Sequence, residues 1–188
     1  MQIDVALIKA CSEGDSRAQH ALYRQAFPYL IKICYRYTSC KDDAVDMLNQ
    51  GFLKIFQALP TYREEQPFLA WAKRIVINAI IDNFRRNKNY REQIQIQEEY
   101  YQQQDHSDFN AGEMRMMSND LMNLVQQLPP MSREVLNLNV IDGYAHKEIA
   151  QMLGISESAS KWHLFSARNK LREWLEMYNP QKQSTHVR

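Results

Sequence analysis

The stretch His146-Lys147-Glu148-Ile149-Ala150-Gln151-Met152-Leu153-Gly154-Ile155-Ser156-Glu157 decides the fold. Residues 146–153 space their apolar side chains as a helix does. Gly154-Ile155-Ser156 breaks the pattern, and helical periodicity returns from Glu157 to Tyr178, ahead of Pro180. Two helices joined by about three residues that include a glycine form the helix-turn-helix signature, whose second helix enters the DNA major groove. Ile149, Ala150, Leu153 and Ile155 fill the inside from one arm, and Leu164, Ala167, Leu171 and Leu175 fill it from the other. The opposite face of the second helix then holds Ser158, Lys161, Trp162, Phe165 and Arg168. A solvent-facing surface rarely places a Trp and a Phe one turn apart. A groove-facing surface uses apolar groups against thymine methyls and cations against phosphate or guanine. The alternative is that Trp162 and Phe165 pack on a neighbouring helix. His163 falls to one side, where capping or packing accounts for it.

Working back toward the N-terminus, the periodicity stays helical. Ser132 is placed to cap a helix running through Ile141 and stopping near Gly143. Leu121, Leu124, Val125 and Leu128 form an apolar stripe before Pro129-Pro130. Val5, Leu7, Ile8 and Cys11 mark a first helix that ends at Gly14. Asp15-Ser16 can cap a second, with Ala18, Ala21, Leu22, Phe27, Leu30, Ile31, Cys34 and Tyr35 inward. Asp42 and Asp43 favour the positive end of a third helix that runs to Leu59-Pro60. Pro67 suits the first turn of a fourth, with Phe68, Trp71, Ile75, Ile81 and Phe84 apolar, an amphipathic helix ending in a basic, partly aromatic stretch: Trp71, Lys73, Arg74, Asn78, Asp82, Arg85, Arg86 and Lys88. Lys and Arg there can neutralise phosphates, and aromatic and Asn side chains can hold an unstacked base. The bland reading is a solvated helix end beside a surface loop, Thr61 to Gln66.

Residues 92–110 change character: six glutamines, five acids, no Lys or Arg. That composition leaves too little apolar surface to offset chain entropy and reads as a flexible tether. The chain has 188 residues and a net charge of +1, which taken whole argues against nucleic acid. Split along the sequence, the charge is +5 over residues 1–91, −6 over 92–120 and +2 over 121–188. Two basic modules around an acidic spacer suggest two anion-binding surfaces. The spacer could also shield those modules, by mimicking nucleic acid, until a partner displaces it. Five glycines and six prolines disfavour turn-rich β architectures, so the expected fold is all-α. No apolar run is long enough to cross a bilayer, and no signal peptide is evident at the start. Three scattered cysteines, Cys11, Cys34 and Cys40, point to reduced thiols in a cytoplasmic protein and to no metal site. No paired carboxylates or nucleophile–base set stands out, so no enzyme, cofactor or small-molecule substrate is expected.

The order and spacing of several motifs resemble the extracytoplasmic-function (ECF) group of sigma-70-family RNA polymerase sigma factors over nearly the whole chain. Asp43-Ala44-Val45-Asp46-Met47-Leu48-Asn49-Gln50-Gly51-Phe52 is similar to the family's D-A-E-D-L-x-Q-E-x-F. Phe68-Leu69-Ala70-Trp71, Arg74-Ile75, Asn78, Asp82 and Arg85 resemble its next conserved run. Leu128-Pro129-Pro130 with Arg133-Glu134-Val135 resembles L-P-x-x-x-R-E-V, and Lys147 to Ser156 resembles K-E-I-A-x-x-L-G-I-S. The resemblance implies two small helical domains on a flexible linker. A region 2-like bundle would occupy 1–91, an acidic Gln-rich linker 92–117, a region 4-like helix-turn-helix 118–179 and a tail 180–188. It implies contact with core RNA polymerase through Asp43, Asp46, Met47, Asn49, Gln50 and Phe52. It implies reading of the promoter −10 element by Tyr62, Arg63, Phe68, Trp71, Arg74, Asn78, Arg85 and Arg86. It matches Lys161, Trp162, Phe165 and Ser166 to −35 reading positions, beside Ser158 and Arg168 from helical geometry. An anti-sigma factor is a further implied partner. The chain departs from the family pattern at Asn49-Gln50 for Q-E, at Gly51 within a helix, at Ala145 for a capping Ser and at Ala159-Ser160 for Thr-Val. Two rivals remain at this point: a LuxR-like helix-turn-helix regulator that is not a polymerase subunit, and a helical protein-binding adaptor.

Overall fold

The computed structural model describes residues 3–38, 40–98 and 118–178, with side chains at 3–38, 40–86 and 121–177. Every element among them is helical. The chain divides into two compact units whose boundary falls between Arg86 and Asn87.

The first unit is built on α1 (Val5–Ser12), α2 (Ser16–Tyr37), α3 (Lys41–Ala58) and the start of α4 (Phe68–Glu98), with one 3-10 turn at Leu59–Thr61. Short polar side chains start the helices. Asp4 Oδ1 accepts from the Ala6 amide at 3.0 Å, and Asp15 Oδ1 accepts from Arg17 at 2.8 Å and Ala18 at 3.2 Å. Cys40 occupies the cap of α3, its Sγ accepting from the Asp43 amide at 3.3 Å, with Asp42 and Asp43 in the first turn. Three- and four-residue spacing then builds the core: Leu22, Ala26, Leu30 and Cys34 from α2, Ala44, Leu48, Phe52 and Ile55 from α3, and Ala72, Val76 and Ile80 from α4. Pro28 lies inside α2 on its exposed side, where water can satisfy the carbonyl it leaves unbonded. Burial pushes the Cys34 thiol up to about 12, against smaller opposing pulls from a backbone hydrogen bond and Arg36. Burial, then Asp15, also raises Cys11. Both thiols therefore stay protonated and poorly nucleophilic, consistent with small apolar core residues. The three cysteines are free, and Cys40 is exposed.

The second unit contains α5 (Ser118–Gln126), α6 (Pro130–Leu136), α7 (His146–Leu153) and α8 (Glu157–Tyr178). Leu124, Val125, Leu128, Val135, Leu138, Ile149, Leu153, Leu164 and Ala167 form its core. The helix-turn-helix lies where the sequence places it. Gly154 ends α7 at φ 66°, a left-handed conformation open to glycine without a Cβ penalty. The Ile155 amide reaches back to the Ala150 carbonyl at 3.1 Å to close the turn. Ser156 then caps α8, its Oγ accepting from the Ala159 amide at 3.0 Å.

Four expectations change. Ser132 caps nothing: α6 starts at Pro130, whose fixed φ and missing N–H suit a first helical position. Ser132 is instead buried, with its Oγ 3.1 Å from His163 Nδ1 of α8. The helix expected through Ile141 leaves α geometry after Leu136 and finishes in a π turn, where the Asp142 amide bonds to the Asn137 carbonyl at 2.9 Å. Leu121, expected inward, is exposed. The helical backbone of α4 runs on to Glu98, into the stretch expected to be a tether. Gln, Glu and Arg are good helix formers, and a helix nucleated by the packed part of α4 propagates at low cost. The rest of the expected linker, residues 99–117, and the tail beyond Tyr178 lie outside the described residues, as does any shielding by the linker.

Ala145 leaves α7 with half a capping box. Glu148 Oε2 accepts from the Ala145 amide at 2.8 Å, but no hydroxyl returns the bond to the Glu148 amide. Ala145→Ser should therefore stabilise the second unit by about 1 kcal/mol, read as a rise in its urea midpoint with an unchanged m-value.

Candidate polymerase and promoter surfaces

Three surfaces carry the predicted residues. On α3, Asp43, Asp46, Asn49 and Gln50 are exposed and Met47 is half-buried. Asn49 Oδ1 accepts from the Tyr23 hydroxyl of α2 at 3.0 Å, which orients the amide. Phe52 does not join this surface. It is 2% exposed, with its ring 4.4 Å from that of Tyr23 and 5.9 Å from that of Phe56, measured between centroids. Its role is to seat α3 on α2, since a large aromatic side chain at that depth gains more from burial than a surface could return. Leu53, which sequence reasoning passed over, is 63% exposed on the same side as Asp46, Asn49 and Gln50. Its signal was an aliphatic residue at helical spacing within an otherwise polar face.

The second surface starts at the loop before α4. Tyr62, Phe68 and Trp71 form an aromatic cluster, with centroids 5.5 Å apart for Tyr62–Phe68, 5.1 Å for Tyr62–Trp71 and 5.6 Å for Phe68–Trp71. Phe68, expected among the base-contacting residues, is only 4% exposed and serves as the floor on which the other two rest. The Tyr62 hydroxyl donates to the Gln66 carbonyl at 2.8 Å, pinning the loop. Burial, then the Glu64 carboxylate, raises the Tyr62 phenol above its usual range, so it remains a donor. Thr61, Arg63, Glu65, Gln66 and Trp71 line an open depression of about 340 Å³ beside this cluster. From Trp71 the surface follows α4 through exposed Arg74, Asn78, Asp82 and Arg85 at three- and four-residue steps, with Arg86 alongside. Asp82 is taken up by Lys54 of α3 at 2.6 Å. The Arg86 Nε donates to the Asp82 carbonyl at 3.3 Å. Arg63, Arg74, Arg85 and Arg86 supply exposed positive charge on this surface.

The third surface is the outer face of α8. Trp162 is 61% exposed and Phe165 64%, so neither packs on a neighbouring helix of its unit. Ser158, Lys161 and Arg168 are exposed beside them, and Ser166 is half-buried at the edge. Lys161 Nζ is 2.8 Å from Glu157 Oε1 one turn earlier, and this hydrogen bond and charge pull the Glu157 carboxyl below its ordinary value. Among the described residues, no group of three or more His, Cys, Asp or Glu is placed to hold a metal ion, and no helix is long and apolar enough to cross a membrane.

Residues 22–90 match the sigma-70 region 2 family and residues 118–171 match the sigma-70 region 4 family. The chain is 26% identical to the ECF RNA polymerase sigma factor SigE of Mycolicibacterium smegmatis, over 86% of this chain, and it spans 64% of that relative's length. It is 31% identical to the RNA polymerase sigma factor SigZ of Bacillus subtilis, over 70% of this chain and 72% of the relative. In fold it is similar to the sigma factor RpoE of Bartonella quintana, solved in complex with the anti-sigma factor NepR. The TM-score there is 0.52 at 17% identity, over 84% of this chain and 96% of that one. Two helical units, the first carrying the α3 and α4 surfaces and the second a helix-turn-helix, with both matched families in this order, place the chain in the ECF group of the sigma-70 family of RNA polymerase sigma factors.

Proposed function

We propose that the chain is a dissociable specificity subunit of bacterial RNA polymerase. The exposed side of α3, with Asp43, Asp46, Asn49, Gln50 and Leu53, docks on the core enzyme. The α4 surface captures the opened −10 element: Tyr62 and Trp71 offer ring faces to an unstacked base, Asn78 offers an amide, and Arg74 and Arg85 meet the backbone. The outer face of α8 enters the −35 major groove. The observation that carries this reading is the α4 stripe, which runs about 21 Å from Trp71 to Arg85 at the 1.5 Å helical rise. A helix-turn-helix regulator needs no such stripe in a second unit. The protein supplies recognition and strand capture, and the bond-making chemistry belongs to the polymerase. Its site of action is then the bacterial cytoplasm. The family resemblance adds an anti-sigma factor as a further partner.

Run-off transcription with purified core enzyme and a cognate promoter tests the proposal. A transcript that depends on the chain, together with co-elution with core, is expected. No transcript and no co-elution would refute it. Asn78→Ala, at an exposed position, should leave thermal unfolding unchanged. It should cut run-off transcription roughly tenfold, since one base contact is worth about 1–3 kcal/mol.

A further inference from the structure

We infer that Lys54 of α3 is a positioning residue for −10 recognition: by holding the Asp82 carboxylate, it keeps the arginines of the α4 stripe free for the nucleic-acid backbone. The inference rests on the reading above, that the α4 surface meets the opened −10 element.

Asp82 is the only acid between Phe68 and Arg91, a stretch that holds six Lys and Arg. It stands within the stripe, one helical turn from Asn78 on one side and from Arg85 on the other. Its side chain is 50% exposed. A carboxylate in this place opposes phosphate binding in two ways. Its charge repels the backbone directly. It also lies three residues before Arg85 and four before Arg86, the spacing and order at which an acid and a following base pair on a helix. Left to itself, Asp82 would draw one of these guanidinium groups along the helix and away from a ligand.

The observed pairing is a different one. Lys54 reaches across from α3, its Nζ 2.6 Å from Asp82 Oδ2. The close crossing of the two helices at Gly51 and Val76 brings it within range. The Arg86 Nε donates to the main-chain carbonyl of Asp82 at 3.3 Å, and Arg85 and Arg86 both stay exposed. The Lys54 side chain is itself 39% exposed, so its charge cancels that of Asp82 at the surface where phosphates approach. An ion pair this exposed adds little to stability. Its larger consequence is the charge that the stripe presents, which the salt dependence of binding reads.

The test uses holoenzyme assembled from the full chain and core polymerase. Its ligand is a fork-junction DNA made from a cognate promoter, with the −10 segment single-stranded, titrated over a range of salt. Affinity for core is measured separately, because Lys54 shares α3 with the docking side. Lys54→Met keeps the aliphatic stem and removes the charge. It should weaken DNA binding about fivefold at about 0.1 M salt and make the salt slope shallower by about 0.7, the loss of one phosphate-neutralising charge on a single strand. Asp82→Asn alone should bind at least as tightly as the parent, and added to Lys54→Met it should restore most of the lost affinity. Lys54→Arg should stay near the parent. Recovery in the double variant is a result that a merely structural pair would not give, since each substitution there breaks the same contact and the second brings nothing back. Undiminished binding by Lys54→Met would overturn the inference. So would a loss that Asp82→Asn does not rescue, which would make Lys54 a DNA contact in its own right or, where the core titration shows the same loss, part of the docking side. Arg74→Ala and Arg85→Ala are measured alongside. If they weaken binding and Lys54→Met does not, the inference fails while the reading of α4 stands. If neither weakens binding, the assignment of α4 to promoter DNA itself fails.

Discussion

Gly51→Leu should unfold the first unit under conditions where the parent is fully native, at a cost of 3 kcal/mol or more in stability. A mid-helix glycine ordinarily costs about 1 kcal/mol relative to Ala, so its presence in α3 needs a reason. The reason is the approach of α4. A Cβ at position 51 would sit 3.0 Å from Val76 Cγ2 and 3.6 Å from Val76 Cα. Val76 is fully buried and, being β-branched in a helix, has one strongly preferred rotamer, so it has little room to give. For Gly51→Ala, the gain in helix propensity opposes an overpacking cost of about 1–3 kcal/mol, and a net loss of about 1 kcal/mol is expected. Leucine adds three further carbons to the same crowded crossing, where the helices themselves must separate. Adding Val76→Ala to Gly51→Ala should restore more stability than additivity allows, because the two side chains share one space. Urea unfolding followed by the fluorescence of Trp71, the tryptophan of the first unit, reads all three variants in a background where Trp162 and Trp174 of the second unit are replaced by Phe. A Gly51→Leu variant as stable as the parent would mean that α3 and α4 do not cross this closely. The crossing also matters for recognition. It holds Lys54 against Asp82 at 2.6 Å, so a shift of α3 away from α4 would move the polymerase-facing side relative to the promoter-facing stripe.

Gly51 also marks where sequence reading runs out. Helical periodicity, caps and the glycine turn placed most elements, because each depends on neighbours within about four residues. Both helices of the helix-turn-helix were legible to their ends, since Gly154 and Ser156 act locally. Close approach of two helices is a pairwise tertiary fact, and nothing near Gly51 in the chain announces Val76. Phe52 and Phe68 show a related limit. Both belong to motifs that resemble functional runs, yet a motif marks which positions matter without separating contact from support. The structure makes both of them supports, beneath Asn49 on one side and beneath Tyr62 and Trp71 on the other. Ser132 was misread because a Ser before a periodic stretch looks like a cap, whereas the preceding Pro130 had already started the helix. The outward face of α8 was legible because inward positions at 164, 167 and 171 fix it by rotation. That Lys161 on this face is tied to Glu157 was not read from the sequence.

A second large effect is expected from Glu134, whose side chain lies wholly inside the second unit. Burial pushes its carboxyl from an ordinary 4.5 up to about 8, with Arg133 pulling more weakly the other way. The Arg133 guanidinium is only loosely engaged with it, Nε lying 4.0 Å from Glu134 Oε1 and one Nη donating to the Gln126 carbonyl at 3.1 Å. Glu134 Oε2 has no hydrogen-bond partner among the described residues. The folded unit therefore holds a proton at pH 7 that the unfolded chain has already released. Between about 4.5 and 8 the folded state binds one more proton than the unfolded state. Stability then falls by about 1.4 kcal/mol for each unit rise in pH. The contribution is fully present below the unfolded value and is lost as pH rises through the folded one. Glu134→Gln keeps the shape and stays neutral at every pH, so it should flatten the decline and leave the variant more stable than the parent at pH 8. A Trp71→Phe background leaves Trp162 and Trp174 as the fluorescent reporters, both in the second unit. Urea midpoints taken from pH 5 to pH 8 in that background should converge at the acid end and separate toward the alkaline end. Parallel curves would mean that Glu134 is ionised in the folded state, with Arg133 drawn in to pair with it. That outcome would replace a neutral buried acid behind α8 with a buried ion pair.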